Sequence, residues 1–354
     1  MDENNKHPDF GAEKEVIIIT GSNGLIGSLL IERLSDKYKV VGLDRKHPAY
    51  PPHQAESINF DVTDEKTIQS ALKRVQYAYG KKIASVVHLA AYYDFGKKDS
   101  PKYHEVNVKG TEKFLEQLQD FEVDQFLFSS SNLIYKPTEP GIKINEDCPA
   151  EANWGYPESK VLTEDLIKKS NTDIPAVFLR IAGIYSDHGH SIPITQQIKR
   201  IYEKDLLSHF YSGDVDHGDV FVHLQDVVDA IEKTVDKRKS IPNAMAINIG
   251  EPSTPTYQEL QDAIGNLIHG KDWETFEMPA PLAKAGAWAR DLVSDPFIKP
   301  WMIDRAGAHY ELDISRAKQL LDWEPRHRVM DTLPTIIKNL KADPEVWYQK
   351  NNLD

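Results

Sequence analysis

The chain has 354 residues, with 42 Lys and Arg against 55 Asp and Glu for a formal charge of −13. That length suits one large α/β unit with an appended lobe, or two modest domains. The acidic balance, with no dense Lys/Arg block, argues against a nucleic-acid partner; the single cysteine, Cys148, excludes an internal disulfide and fits a reducing compartment. No run reaches the ~18 apolar residues of a membrane-spanning helix. Met1 to Lys14 is polar and acidic, without the apolar segment of a signal peptide, so residues 1–13 read as a flexible tail and the protein as cytoplasmic.

The first predicted element is a β-branched strand over Glu15 to Thr20, followed by Gly21-Ser22-Asn23-Gly24-Leu25-Ile26-Gly27 and a helix with apolar spacing over Leu25 to Lys37. A strand ending in a glycine turn that opens a helix is a cradle for a dinucleotide pyrophosphate. Gly21 would make the turn, Gly24 would let the phosphates approach, and Gly27 would let the helix pack on the strand; Asn23, Leu25 and Ile26 share that loop. The next strand, Val40 to Asp44, ends in an acid where an adenosine ribose would need an acceptor. A carboxylate there repels a 2′-phosphate, which favours NAD; the neighbouring Arg45 leaves NADP open.

Further strands are predicted at Ser57 to Asp61, Ala84 to Ala90, Gln125 to Ser130 and Ala176 to Ile181, with helical stretches between them. This alternation implies a parallel sheet covered on both faces. After Ile181 the pattern loosens, but Val220 to His223 and Ala246 to Ile249 still read as strands that return to the sheet. The expected organisation is a cofactor domain over 14–181 with returns near 216–250, a substrate lobe over 182–215 and 251–340, and a C-terminal tail over 341–354.

Tyr156 and Lys160 stand four apart in Gly155-Tyr156-Pro157-Glu158-Ser159-Lys160, which on a helix puts phenol and ammonium on one face. A nearby cation lowers a phenol's pKa toward the working range and makes it usable for proton transfer. Tyr77/Lys81 and Tyr93/Lys97 share the spacing, so position must choose. Only Tyr156 follows a strand that ends in hydroxyls, Ser129-Ser130-Ser131, at the carboxyl edge where ligands of such sheets bind.

With these motifs in order, the chain resembles an extended short-chain dehydrogenase/reductase of the NAD-dependent epimerase/dehydratase type over nearly its full length. The matching residues also include Asp61-Val62, His88-Leu89-Ala90-Ala91, Asn107 to Thr111, Leu179-Arg180, Phe221 to Asp226, and Asp313 to Pro325. The resemblance implies an α/β class with a Rossmann-type doubly wound parallel sheet and a smaller, mostly helical C-terminal substrate lobe. It implies that Asp61 and Val62 contact the adenine, and that Leu89, Ala90 and Ala91 line the ribose and nicotinamide side. Asn107 supports the pocket and its water, and Lys160 also holds the nicotinamide ribose. Ser131 hydrogen-bonds the substrate oxygen, and Tyr156 exchanges its proton. By analogy, a homodimer forms through the helices near Asn107 and Tyr156.

Departures from the family pattern bear on the substrate. Asn132 and Leu133 stand where sugar-nucleotide dehydratases resemble one another in an Asp-Glu pair. Asp219 stands where epimerases of similar sequence place a diphosphate-binding arginine. The expected reaction is therefore hydride transfer between nicotinamide and a secondary alcohol or ketone of a small molecule with some apolar character. A sugar-nucleotide epimerase with transient NAD reduction is the alternative, and an NAD-sensing binding protein a further one. Leu282 to Met302, rich in apolar residues, is either a lid, a lipid-facing surface or lobe core. Asp214, Asp216, His217 and Asp219 read as a solvated acidic loop, and the scattered histidines, His188-Gly189-His190 included, as no metal site.

Overall fold

A computed structural model describes residues 14–46, 55–170, 173–279, 281–285 and 300–353. Seven parallel strands form the main sheet: β1 (Val16–Thr20), β2 (Lys39–Asp44), β3 (Ala55–Asn59), β4 (Ser85–His88), β5 (Phe126–Ser131), β6 (Ala176–Ile181) and β7 (Met245–Ile249). Their order is β7-β6-β5-β4-β1-β2-β3, so the direction of winding reverses between β1 and β4. The crevice at that reversal is where open α/β sheets bind ligands. β1, β4 and β6 are buried along their whole length, as strands covered on both faces must be.

On one face lie α1 (Leu25–Leu34), α6 (Leu224–Asp236) and α9 (Ser315–Leu321), whose Leu30, Ile231 and Leu321 share a core with Ile17 and Val87. On the other lie α2 (Glu65–Tyr79), α3 (Gly110–Leu118) and α4 (Gly155–Lys169), packed through Leu72, Phe114 and Ile167 against Ile18 and Val86. A third core is built by α5 (Ile192–Tyr202), α7 (Tyr257–His269), α10 (Val329–Ala342) and α11 (Pro344–Lys350). Between α7 and α10, α8 spans Pro300–Ala306.

Several expected boundaries move. The third strand ends at Asn59 and not Asp61, because the Asp61 carboxylate accepts from the Thr63 N–H and hydroxyl and turns the chain toward α2. α1 stops at Leu34, where the Ser35 N–H closes on the Ile31 carbonyl. The return over Val220 to His223 does not join the main sheet: Phe221–His223 pairs with Gly183–Tyr185 as a separate ribbon. The reason is local. The Ala182 N–H is taken by the Ile249 carbonyl, and the Gly183 N–H turns away to the Val220 carbonyl. The expected C-terminal tail forms α11, whose Trp347 is buried in the third core together with Leu353. Of Leu282 to Met302, residues 286–299 lie outside the described residues, as does the tail over 1–13.

Candidate active site

The turn after β1 carries its sequence requirements in its geometry. Gly21 has φ +69°, and a Cβ there would lie 2.9 Å from the Ala90 nitrogen. A Cβ on Gly27 would stand 2.4 Å from the Gly21 carbonyl oxygen, so α1 lies against the loop only because that position is bare. Gly24 caps α1 without any side-chain hydrogen bond, which leaves first-turn N–H groups open to an anion. Asp44 is held by two backbone amides, Asn23 N–H at 3.0 Å and Lys46 N–H at 3.0 Å, while Arg45 is exposed. This arrangement fits a dinucleotide, with a donor nest for pyrophosphate and an oriented acceptor beyond it.

One cavity of about 600 Å³ opens at the carboxyl edge of the sheet, lined among others by Ile26, Leu89, Ala91, Ser131, Tyr156 and Lys160. Ser131 Oγ accepts the Leu133 N–H at 3.2 Å, which leaves its own proton for a partner in the cavity. Lys160 Nζ donates to the Ser129 carbonyl at 2.7 Å and stands 5.6 Å from the Tyr156 ring centre. Burial pushes the Lys160 ammonium down to about 7, against the attraction of Glu164. Burial likewise pushes the Tyr156 phenol up, with Tyr103 adding to it. This corrects the expectation that the ammonium lowers the phenol: the apolar setting dominates, and the aromatic rings of Tyr93 at 4.6 Å and Trp154 at 5.7 Å surround it.

Asn107 sits deeper than expected. Its amide accepts the Tyr92 N–H at 2.7 Å and donates to the Tyr92 carbonyl at 3.1 Å and to Ser159 Oγ at 2.9 Å. It thereby ties the loop after β4 to α4 and does not line the cavity. Ala90 donates its N–H to Thr20 Oγ1 at 3.1 Å, and Val62 packs under Gly110 near the Asp61 turn.

His88 joins the same scaffold. Its Nδ1 meets Thr20 Oγ1 at 2.8 Å and its Nε2 meets Thr111 Oγ1 at 3.0 Å, while Thr111 donates to the Asn107 carbonyl at 2.6 Å. Burial holds the ring down to about 3, and the Lys160 charge adds to this. The unfolded ring titrates near 6.5, so between the two values the unfolded chain binds the extra proton. The His88 contribution is complete above 6.5 and lost as pH falls toward 3, at up to about 1.4 kcal/mol per pH unit. Urea midpoints measured on descending pH should fall through this window, and the slope should be shallower in His88→Gln.

Sequence reasoning missed part of the cavity. Tyr93, set aside with Lys97, lies edge-on to Tyr156 and lines the wall; Lys97 instead pairs with Asp94 at 3.6 Å. Tyr77 is 87% exposed, in keeping with a chance pair. Asp219, expected in solvent, also lines the cavity. Its Oδ1 accepts the Val220 N–H at 2.9 Å, and burial pushes the carboxyl up against the pull of Arg305. Arg200 from α5 and Arg305 from α8 complete the charged lining. No sequence signal marks these two arginines, which reach the cavity from separate helices.

A family model described as the NAD dependent epimerase/dehydratase family matches residues 17–250. The chain belongs to this family. It is therefore an enzyme of a family whose cofactor is NAD. A putative UDP-glucose 4-epimerase of Methanocaldococcus jannaschii is 25% identical over 353 residues, covering 95% of this chain and 99% of that protein. A 3-beta-hydroxysteroid dehydrogenase of Mycolicibacterium neoaurum is 21% identical, covering 87% of each. Among solved structures, UDP-glucuronic acid 4-epimerase from Bacillus cereus, in complex with UDP-glucuronic acid and NAD, has a TM-score of 0.70 at 21% identity. That likeness covers 92% of this chain and 99% of the epimerase. Among the described residues, no helix is long and apolar enough to cross a membrane.

Proposed function

We propose that this member of the epimerase/dehydratase family catalyses reversible hydride and proton transfer at a secondary carbinol carbon of a sugar nucleotide, in the manner of a 4-epimerase. The observation that carries this reading is that Ser131, Tyr156 and Lys160 share one cavity with Arg200 and Arg305. Guanidinium forks match phosphate oxygens in charge and geometry. The arginine that the sequence lacks at Asp219 thus has substitutes from α5 and α8. The relatives that act on UDP-sugars agree with this choice.

Gly21 to Gly27, Asp44, Asp61, Val62 and Leu89 to Ala91 would hold the dinucleotide. When bound, NAD supplies a hydride acceptor and donor, and in its oxidised form a positive ring charge. Ser131 would donate its hydroxyl proton to the substrate oxygen and fix its place. Burial keeps Tyr156 neutral. To take the proton of the carbinol hydroxyl it must first lose its own, which neighbouring positive charge favours, and it returns that proton to the developing alkoxide in the reverse direction. Lys160, with an N–H fixed on Ser129, would direct its remaining donors at the phenol and the ribose hydroxyls.

A second reading has one observation in its favour. Asp219 places a carboxylate in the cavity where Tyr93, Tyr211 and Tyr310 feel its charge, which suits an uncharged alcohol better than a diphosphate. Incubation with NAD and UDP-galactose is expected to yield UDP-glucose with no net NADH. Accumulation of NADH from a sterol or simple secondary alcohol, with UDP-galactose unchanged, would replace the isomerase with a dehydrogenase.

A further inference from the structure

Behind the cavity wall lies a charged assembly that the reaction itself does not use. Glu164, one turn beyond Lys160 on α4, is 2% exposed. Its Oε1 accepts Ser130 Oγ at 2.6 Å and Arg180 Nε at 3.1 Å, and its Oε2 accepts Arg180 Nη2 at 2.8 Å and Lys168 Nζ at 3.2 Å. Arg180, on β6, donates Nη1 to the Tyr135 hydroxyl at 2.8 Å and to the Glu146 carbonyl at 2.9 Å. The helix that carries Tyr156 therefore grips consecutive residues of β5, Ser129 through Lys160 and Ser130 through Glu164, immediately before Ser131.

A buried ion pair is a poor source of stability, since an apolar pair of similar volume usually serves as well or better. Its retention calls for another use, and the nearest one is electrostatic. We propose that Glu164, clamped by Arg180, is a positioning residue of the active site: it fixes α4 to the strand end that carries Ser131, and its charge keeps the Lys160 ammonium protonated. This rests on the reading of Lys160 as a working cation and is independent of which alcohol is the substrate.

The groups facing Lys160 are few. Tyr156 precedes it by one turn and Glu164 follows by one turn on α4; from β4 comes His88, and from β5 the Ser129 carbonyl and the Phe128 ring at 4.7 Å. Burial keeps Tyr156 and His88 neutral around neutral pH, so Glu164 is the charge that holds the ammonium up. Glu164 itself stays ionised: burial opposes this, but the Arg180 hydrogen bonds and charge overcome it.

The test reads Lys160 directly. Competitive acetylation of the full chain with acetic anhydride from mildly acidic to alkaline pH, followed by peptide mass spectrometry, gives the midpoint at which Lys160 becomes reactive. Glu164→Gln should lower that midpoint by about one pH unit, and Arg180→Gln should lower it as well, because burial then neutralises the unpaired Glu164 carboxyl. Glu164→Asp shortens the side chain but retains the carboxylate and should leave the midpoint near the parent value, a contrast with Glu164→Gln that loosened packing cannot produce. Should any single variant fail to fold, Glu164→Met/Arg180→Met retains the volume and should still lower the midpoint, because the Glu164 charge that supports Lys160 is gone. A midpoint unchanged in the folded Glu164→Gln variant overturns the proposal. The labelling does not depend on turnover, so an absence of UDP-sugar activity would count against the proposed substrate alone.

Discussion

Replacing Tyr156 by phenylalanine is expected to lower kcat by about three orders of magnitude while leaving NADH affinity within about 2-fold of the parent value. The phenyl ring keeps the contacts that seat the side chain, edge-on to Tyr93 at 4.6 Å and beside Trp154 at 5.7 Å and Tyr103 at 6.2 Å, so the cavity wall stays in place. What disappears is the hydroxyl that exchanges a proton with the carbinol oxygen. Ser131 cannot take over that task. Its oxygen is committed to the Leu133 N–H, and a serine hydroxyl is too weak an acid to replace a phenol near neutral pH. Parallel measurement of UDP-galactose turnover and of NADH fluorescence on binding separates the two quantities. Turnover of the variant at the parent rate would remove Tyr156 from the chemistry and return the site to a binding role.

The parts of this site that were legible in the sequence are those whose geometry is set within a few residues. The spacing of Gly21, Gly24 and Gly27 fixes a turn and a helix start, and the acid at the end of the next strand follows from the same unit. Tyr156 and Lys160 share one helix face by spacing alone, and the hydroxyl run before them placed that face at the edge of the sheet. The cavity's far wall is different. Arg200, Asp219 and Arg305 converge from α5, the segment before Phe221–His223, and α8, and no local pattern records that convergence. Tyr93 failed for the opposite reason: its spacing from Lys97 looked like a copy of the catalytic pair, and its use depends on its ring and not on that lysine. The phenol's response to burial was also hidden, since a neighbouring charge can be read from spacing whereas desolvation depends on everything packed around the group.

Gly27→Val should abolish measurable NADH binding and destabilise the fold, and it tests whether the glycine turn is a cofactor cradle or an ordinary tight connection. The valine Cβ would lie 2.4 Å from the Gly21 carbonyl oxygen and 2.7 Å from Ser22 Cα, both backbone atoms that no rotamer change can clear. Either α1 moves off the loop or the loop moves off β1. In both cases the first-turn N–H groups leave the place where a pyrophosphate would meet them, so affinity should fall by at least about 100-fold. Overpacking of this kind typically costs about 1–3 kcal/mol, which a urea midpoint will register. Gly80→Ala supplies the control. Gly80 has φ +82° with ψ −163°, a combination essentially open to glycine alone, but a Cβ there meets nothing within 4 Å and the residue lies at the far end of α2. It should lose about 1–3 kcal/mol from backbone strain with NADH affinity intact. If both variants lose stability alike and Gly27→Val still binds NADH as the parent does, the turn is structural and the cofactor sits elsewhere along the crevice between β1 and β4.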